Sequence, residues 1–546
     1  MQRLLFFVLF VLHVAAFCAC EGCRTPPATL PANGIDGATP DARLYLISDL
    51  AGALEPCGCV KDQLGGMDKL GALVAAEKSK AKAAGVLSVG PLFFMDMELA
   101  ADRRAQEIAK AETIAASLKG QNLLAFTPAR NDWAAGAETL KKLTDEAGAA
   151  LVAANLDPKT IAPAAPVKTA MKKIGGVDLG IVGVTAPDKA KVALEGVVSS
   201  APGAAVKEAV ASLKKEGAQA IVVLAAVGRG EAKRIADDNP DVLAIVVGST
   251  GGGGEANTTA PPAERIGDVL VIETANHLQT VGVLDLYVSP GAPKGALVKL
   301  ADATGIERTR KREDLSRRID ELRAKVATWE TDKSVDPSDI AARKADVAKL
   351  EAERDALDKA PAPASGSYYR YAMREIREKL GSDEAVKQQM LAYYKKINDA
   401  NKVELAGRKP KDPAPGEPRY VGVEICTSCH EEPRAVWDKT AHAGAYATLS
   451  KQFKEFNLDC VSCHVTGYDR PGGSTVTHVG DLQNVQCEVC HGPGSSHVKA
   501  PEKVKTPISK PQPDACLSCH HPPHVHTFDA KAKMAEILGP GHGKPK

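Results

Sequence analysis

The sequence predicts a multidomain chain: an α/β domain, a helical coiled-coil hairpin, and a C-terminal segment that is mostly irregular with short helices. Three observations predict it. Between residues 42 and 300, short apolar runs alternate with helical stretches rich in Ala, Lys and Glu. Between 305 and 358, apolar residues recur at heptad spacing in a charged background. After 419 the periodicity fades, and Cys-X-X-Cys-His recurs four times. At 546 residues, 44% hydrophobic and 25% charged, the chain is globular in composition and long enough for two or three domains. A formal net charge of +1 carries no nucleic-acid signature and excludes that class of partner.

Residues 1–19 read as a secretory signal peptide. Arg3 is a thin basic region, and Leu4 to Phe17 is apolar apart from His13, short for a membrane span. Phe17-Cys18-Ala19-Cys20 loosely resembles a bacterial lipoprotein box. Either Cys20 is acylated, the one membrane attachment expected, or the signal is simply cleaved and the chain released. Either route exports the chain to the periplasm or cell envelope. Residues 20–41, rich in Pro, Ala, Thr and Gly, read as a flexible tether.

The α/β domain is placed at 42–300. Its expected buried strands are Leu44 to Ile47, Gly85 to Val89, Leu151 to Ala154, Leu179 to Val184, Ala220 to Ala226, Val242 to Val247 and Val269 to Ile272. Its expected helices are Met67 to Ala84, Ala100 to Lys119 and Val206 to Glu216. Strands alternating with helices indicate a sheet covered by helices. Cys57-Gly58-Cys59 follows the first strand, and three readings of it stand: a local disulfide, a thiolate metal or redox site near Asp49, or a structural pair.

Residues 305–405 read as helical. Leu315, Ile319, Leu322, Val326 and Trp329 step by four and three, and Ile340, Val347, Leu350 and Leu357 resume after Pro337. That pattern predicts an antiparallel coiled-coil hairpin. A further helical stretch is expected from Tyr368 to Asn401, broken near Gly381. The helical region is expected to set the distance between the flanking domains, and the proline-rich run 406–418 is expected to be a linker.

The segment 419–546 holds Cys426-Thr-Ser-Cys429-His430, Cys460-Val-Ser-Cys463-His464, Cys487-Glu-Val-Cys490-His491 and Cys516-Leu-Ser-Cys519-His520. Two thiols at this spacing take up the two vinyl groups of one haem, and the histidine that follows is placed to ligate its iron. Structural zinc also uses Cys-X-X-Cys pairs, but it does not require a histidine after each second cysteine. Four covalently attached c-type haems are therefore expected. Of the chain's 13 histidines, 11 lie between 430 and 542, four of them in the motifs. The other seven suffice for bis-histidine ligation throughout. Met534 is the lone methionine of the segment, so methionine ligation is not expected. His442, His478 and His497 are chosen as distal ligands, with His524 as the fourth and His526 close behind. Two axial histidines leave no site for substrate, whereas a haem lacking one binds a small molecule.

The segment resembles the cytochrome c554 family. The resemblance rests on Tyr420-Val-Gly422, on Trp437, His442 and Ala443, and on Cys460-Val-Ser-Cys-His-Val-Thr-Gly467 and Cys487-Glu-Val-Cys-His-Gly-Pro-Gly494. It implies closely packed haems, mostly bis-histidine, that pass electrons in the periplasm. It carries proximal roles onto His430, His464, His491 and His520, and distal roles onto His442 and His497.

Residues 42–290 resemble the calcineurin-like metallophosphatase domain of periplasmic 5′-nucleotidases, through Leu44-Tyr-Leu-Ile-Ser-Asp49, Gly65-Gly66, Ala153-Ala-Asn-Leu156 and Leu179-Gly-Ile-Val-Gly-Val184. The resemblance implies a two-sheet sandwich with two metals. The ligands that the family requires are largely missing. Asp-X-His is Asp49-Leu50-Ala51, Gly-Asp is Gly90-Pro91, and the Gly-His-X-His position reads Gly248-Ser249-Thr250-Gly251. Between 24 and 300 the chain has one histidine, His277. One imidazole is too few for a dinuclear hydrolytic site, although Asp49 and Asp132 survive as carboxylates.

The function expected is an exported tetrahaem cytochrome that exchanges electrons with redox partner proteins, its α/β domain non-catalytic. The alternatives are a multihaem oxidoreductase acting on a small nitrogen or sulfur compound at an open haem, and, disfavoured by the missing ligands, a phosphoester hydrolase fused to a cytochrome.

Overall fold

A computed structural model describes residues 38–56, 63–186, 197–251, 254, 256–331, 335–357, 365–521, 525, 528–539 and 542. The signal peptide with Cys20, most of the tether, Cys57, Cys59, His524 and His526 lie outside the described residues.

Two sheets pack face to face. The first runs in the order β12-β13-β11-β1-β2-β3-β4, the second in the order β5-β6-β7-β8-β10-β9. The first sheet contains β1 (Ala42–Ser48), β2 (Ala83–Val89), β3 (Leu123–Thr127), β4 (Ala150–Leu151), β11 (Thr280–Tyr287), β12 (Ala301–Asp302) and β13 (Tyr368–Glu375). The second contains β5 (Thr169–Ile174), β6 (Val177–Thr185), β7 (Ala220–Ala226), β8 (Ala244–Val247), β9 (Glu264–Ile266) and β10 (Val269–Ile272). Strands β1 to β4 are parallel, as are β6, β7, β8 and β10.

Period-two alternation assigns each strand's side chains to two cores. Leu44 and Leu46 enter the core between the sheets, while Tyr45 and Ile47 face the outer core under the helices. In β7, Val222 and Leu224 turn inward and Ile221 and Val223 turn outward. Helices α1 (Met67–Glu77), α2 (Arg104–Gly120) and α3 (Ala137–Ala147) cover the first sheet, and α4 (Pro202–Lys215) and α5 (Arg229–Asp238) cover the second. Burial on both faces is why these strands read as continuous apolar runs.

The hairpin forms as expected from α6 (Ile306–Thr331) and α7 (Pro337–Leu357), with Leu315, Ile319, Val326 and Val347 buried along its seam. Lys311 pairs with Glu353 at 3.0 Å and Lys344 with Glu330 at 2.6 Å across it.

Three expectations are corrected. Tyr368 to Glu375 is a strand, not a helix: Tyr369 and Tyr371 alternate into the inter-sheet core, a two-residue period of aromatic side chains. The helix of this stretch is α8 (Glu384–Glu404). The hairpin leaves the sheet at β12 and returns at β13, which pair with each other, so it is an insertion in the α/β domain and not a spacer. The sandwich therefore continues past residue 300 and is completed by β13 and α8. Third, of Leu151 to Ala154, Leu151 alone belongs to a strand.

Helix α8 links the sandwich to the haem segment. Its Asn401 amide donates to Gln106 Oε1 of α2 at 3.0 Å and to the Phe456 carbonyl at 2.8 Å, and the Leu458 amide donates to the same Gln106 oxygen at 3.0 Å. Gln106 is 1% exposed and Asn401 4%. Asp459 takes Lys110 at 3.1 Å and also pairs with Arg103. Buried polar groups paired in this way fix one docking register.

Candidate functional site

The haem segment has a small core of its own: Leu458, Val461, Val465, Val476 and Val479. Polar side chains staple the rest. The buried Glu488 carboxylate accepts from the amides of Val421, Gly422 and Gly494, and Gln486 Oε1 accepts from the Val423 amide at 2.7 Å. These bonds hold α9 (Val423–Thr427), which carries Cys426, against α12 (Cys487–His491), which carries the third motif. The Trp437 indole, on α10 (Glu431–Trp437), donates to the Val485 carbonyl at 2.8 Å.

None of the eight motif cysteines is joined in a disulfide among the described residues. Cys426 and Cys487 share a hydrogen bond, which pulls the Cys487 thiol down to about 7 and pushes Cys426 up. A bond from Cys463 holds the Cys519 thiol down to about 6. Cys490, raised to about 11 chiefly by burial, also feels the charges of Cys516 and Cys519. The first motif thus adjoins the third, the third the fourth, and the fourth the second.

The histidines face one another in pairs. Ring centroids are 6.3 Å apart for His430 and His497, 6.2 Å for His442 and His520, and 6.5 Å for His491 and His542. One iron held by two trans imidazoles at metal–nitrogen distances of about 2 Å separates the centroids by roughly 6 Å. Each pair contains one motif histidine. Several rings are also oriented. The Nδ1 atoms of His464, His491 and His497 lie 2.6, 3.0 and 2.6 Å from the carbonyl oxygens of Ala445, Ile508 and Val504. A carbonyl only accepts, so Nδ1 carries the hydrogen and Nε2 presents its lone pair, the arrangement a metal ligand needs. Burial, aided by neighbouring histidines, lowers the pKa of His442, His520 and His542 and favours the neutral ligating form. The donor set and its spacing fit c-type haem, which would be held by the eight cysteines and these imidazoles.

His442 and His497, chosen from sequence, each face a motif histidine. His478 instead lies beside the Thr477 hydroxyl, Nδ1 to Oγ1 3.1 Å. His464 faces no second imidazole at the paired spacing among the described residues. His542 was counted in the sequence but not chosen. It stands 51 residues after His491, on the far side of α14 (Ala530–Ile537), and motif spacing carries no signal for it. Phe528 stacks on His520 at 4.4 Å.

At the loop end of the sandwich the carboxylates of Asp132 and Asp49 are differently employed. Asp132 accepts from the amides of Leu92 and Phe93 at 2.8 Å each and of Ala129 at 2.9 Å. Burial raises it to about 7 despite those bonds. A Cβ on Gly90 would collide with its carboxylate. Asp49 is raised to about 6 by burial and by Glu273. Among the described residues, no cluster of three or more His, Cys, Asp or Glu is arranged to hold a metal ion.

Residues 425–492 match the family described as cytochrome c554 and c-prime. An alignment over 91 positions, covering 14% of the chain and 39% of the relative, is 35% identical to cytochrome c-554 of Nitrosomonas europaea. The chain thus covers about two-fifths of the curated relative it matches. It is also similar to the 5′-nucleotidase precursor of Thermus thermophilus, at 17% identity over 65% of this chain and 59% of that one, with a TM-score of 0.43. Similarity to the sulfate thiohydrolase SoxB of Thermus thermophilus is 18% identity over 46% of this chain and 55% of that one, with a TM-score of 0.38. Residues 425–492 are thus similar to the cytochrome c554 family, and that family implies covalently bound c-type haem.

Proposed function

We propose that the chain is an exported tetrahaem c-type cytochrome that carries electrons between redox partner proteins in the periplasm or cell envelope, its sandwich a non-catalytic scaffold. The observation that carries this reading is the set of three facing imidazole pairs, each with one motif histidine. Bound haem supplies one-electron chemistry. His430 with His497, His520 with His442, and His491 with His542 would each hold one iron between them, which would leave no position for substrate and would suit those three to electron relay.

The contacts between motifs support a relay in the order first, third, fourth, second, with the second motif at the end nearest the sandwich. The scaffold role is supported by Asp132, whose carboxylate is engaged by three amides. Export is supported by the apolar run Leu4 to Phe17 and by the haem motifs.

The test is a haem count with an electron paramagnetic resonance census of the purified protein. Four haems per chain, at least three of them low-spin with two imidazoles, is the expected result. Fewer than four overturns the tetrahaem reading, and a majority of high-spin irons overturns the relay. His464, which lacks a facing imidazole among the described residues, favours a second reading: a small nitrogen or sulfur compound reacting at the haem on Cys460 and Cys463. Carbon monoxide binding to one haem in four of the reduced protein supports it, and no binding removes it.

A further inference from the structure

Among the described residues, His464 is the one motif histidine without a facing imidazole at the paired spacing. A candidate partner lies across the interface, in the sandwich. The residues that lead into the second motif are fixed to that domain. Gln106 of α2 donates to Asn457 Oδ1 at 3.4 Å and accepts from the Leu458 amide at 3.0 Å, and Asp459 takes Lys110 at 3.1 Å. Cys460 follows directly. Cys460 and Cys463 border the same cavity as Asn257 and His277 of the sandwich. Those thiols would carry a haem, so the room beside them is that haem's own and not a second site.

His277 is prepared as a ligand. It lies in the turn between β10 and β11 and is 7% exposed. Its amide donates to the Asp49 carbonyl at 2.9 Å, which fixes the backbone. Its Nδ1 lies 3.0 Å from Asn257 Oδ1, an acceptor, so Nδ1 carries the hydrogen and Nε2 is a bare lone pair. His464, His491 and His497 are held in the same tautomer by their carbonyl partners. Nε2 of His277 has no hydrogen-bond partner. A buried acceptor left unpaired is costly and rare, and a bond to iron would satisfy it. His277 and Leu278 also hold positive φ angles of 52° and 56°, a strain that clusters at ligand sites. His521 borders the cavity too, but the buried unpaired nitrogen is on His277.

We propose that His277 of the sandwich is the second axial ligand of the haem on Cys460 and Cys463, opposite His464. The haem itself rests on the function proposed above. With both axial positions filled, that iron offers no place to a small compound. The sandwich then joins the haem segment through a metal–ligand bond as well as through the polar contacts of α2 and α8.

The test is electron paramagnetic resonance and carbon monoxide binding on the full-length, haem-loaded protein, with mass spectrometry assigning each haem to its motif. The wild type is expected to show four low-spin haems and, when reduced, to bind no carbon monoxide. His277→Ala is expected to keep four haems, to turn one high-spin and to open that one to carbon monoxide. Added imidazole is expected to return it to low spin, a rescue that a merely structural role would not give. With Cys460→Ala and Cys463→Ala, three haems remain, and adding His277→Ala is expected to change none of them. The triple variant His521→Ala, His524→Ala, His526→Ala is expected to keep four low-spin haems, and it decides the matter even if His277→Ala fails to fold. A wild-type haem that binds carbon monoxide, four low-spin haems in His277→Ala, or a high-spin haem in the triple variant overturns the assignment and leaves the haem count standing. A count below four sinks the tetrahaem reading. The His277 assignment falls with it only where the missing haem is that of Cys460 and Cys463, and otherwise the His277→Ala response still decides it.

Discussion

In the sandwich, apolar side chains form three cores, and the acids at the loop end face backbone amides or other acids. In the haem segment five apolar residues form the core, and the ligand set is paired at three motifs out of four. One region is built almost wholly of frame. The other keeps its ligands with almost no frame of its own. The difference shows two ways to offset the entropy of ordering a chain: burying side chains, or bonding to a large rigid group.

The largest effect should come from taking that group away. Replacing all eight motif cysteines by alanine should unfold the region after 419 and leave the sandwich folded. Limited proteolysis and calorimetry check this, and a haem-free segment that melts with the sandwich breaks the comparison. Next is the loss of one distal ligand. His442→Ala should turn one haem of the four high-spin, seen by electron paramagnetic resonance, without changing the haem count. If His442 serves no iron, the spectrum will not move.

Asp132→Ala tests the sandwich. Three buried amides would lose their acceptor, at a cost of about 2–4 kcal/mol. Denaturant unfolding should register that loss while the haem spectra stay unchanged. The smallest effect is on pH dependence. Burial holds His277 down to about 4, against 6.5 for an exposed imidazole. Between those values the unfolded chain takes up the proton and the folded one does not. This group's contribution to stability is therefore lost as pH falls from about 6.5 to about 4. His277→Gln should flatten the stability profile across that window and leave it unaltered above pH 7.

The cysteine motifs were legible because covalent attachment demands a fixed local spacing. His442 and His497 were legible through their neighbours, Trp437 and Gly492-Pro-Gly494. His542 was not, because its pairing with His491 depends on how the chain returns in space. The apolar runs of β1, β2, β6, β7 and β10 were legible because burial on both faces leaves little else in the strand. Strand β13 was hidden: Arg370 and Arg374 alternate with the tyrosines, and the charge-rich stretch reads as a helix. The docking of α2, α8 and the haem segment through Gln106 and Asn401 was invisible as well. Paired amides look like surface residues until their partners are known.

Helix α6 alone, at 26 residues, is a rod of about 39 Å. Its hairpin is anchored where Ala301 and Tyr368 lie side by side, and it carries neither a haem motif nor a strand of the sheet. In solution such an arm governs drag more than mass does. The molecule should sediment more slowly than a sphere of 57.3 kDa, and the arm is a natural boom on which a label could be mounted outside the sheet and the haem motifs.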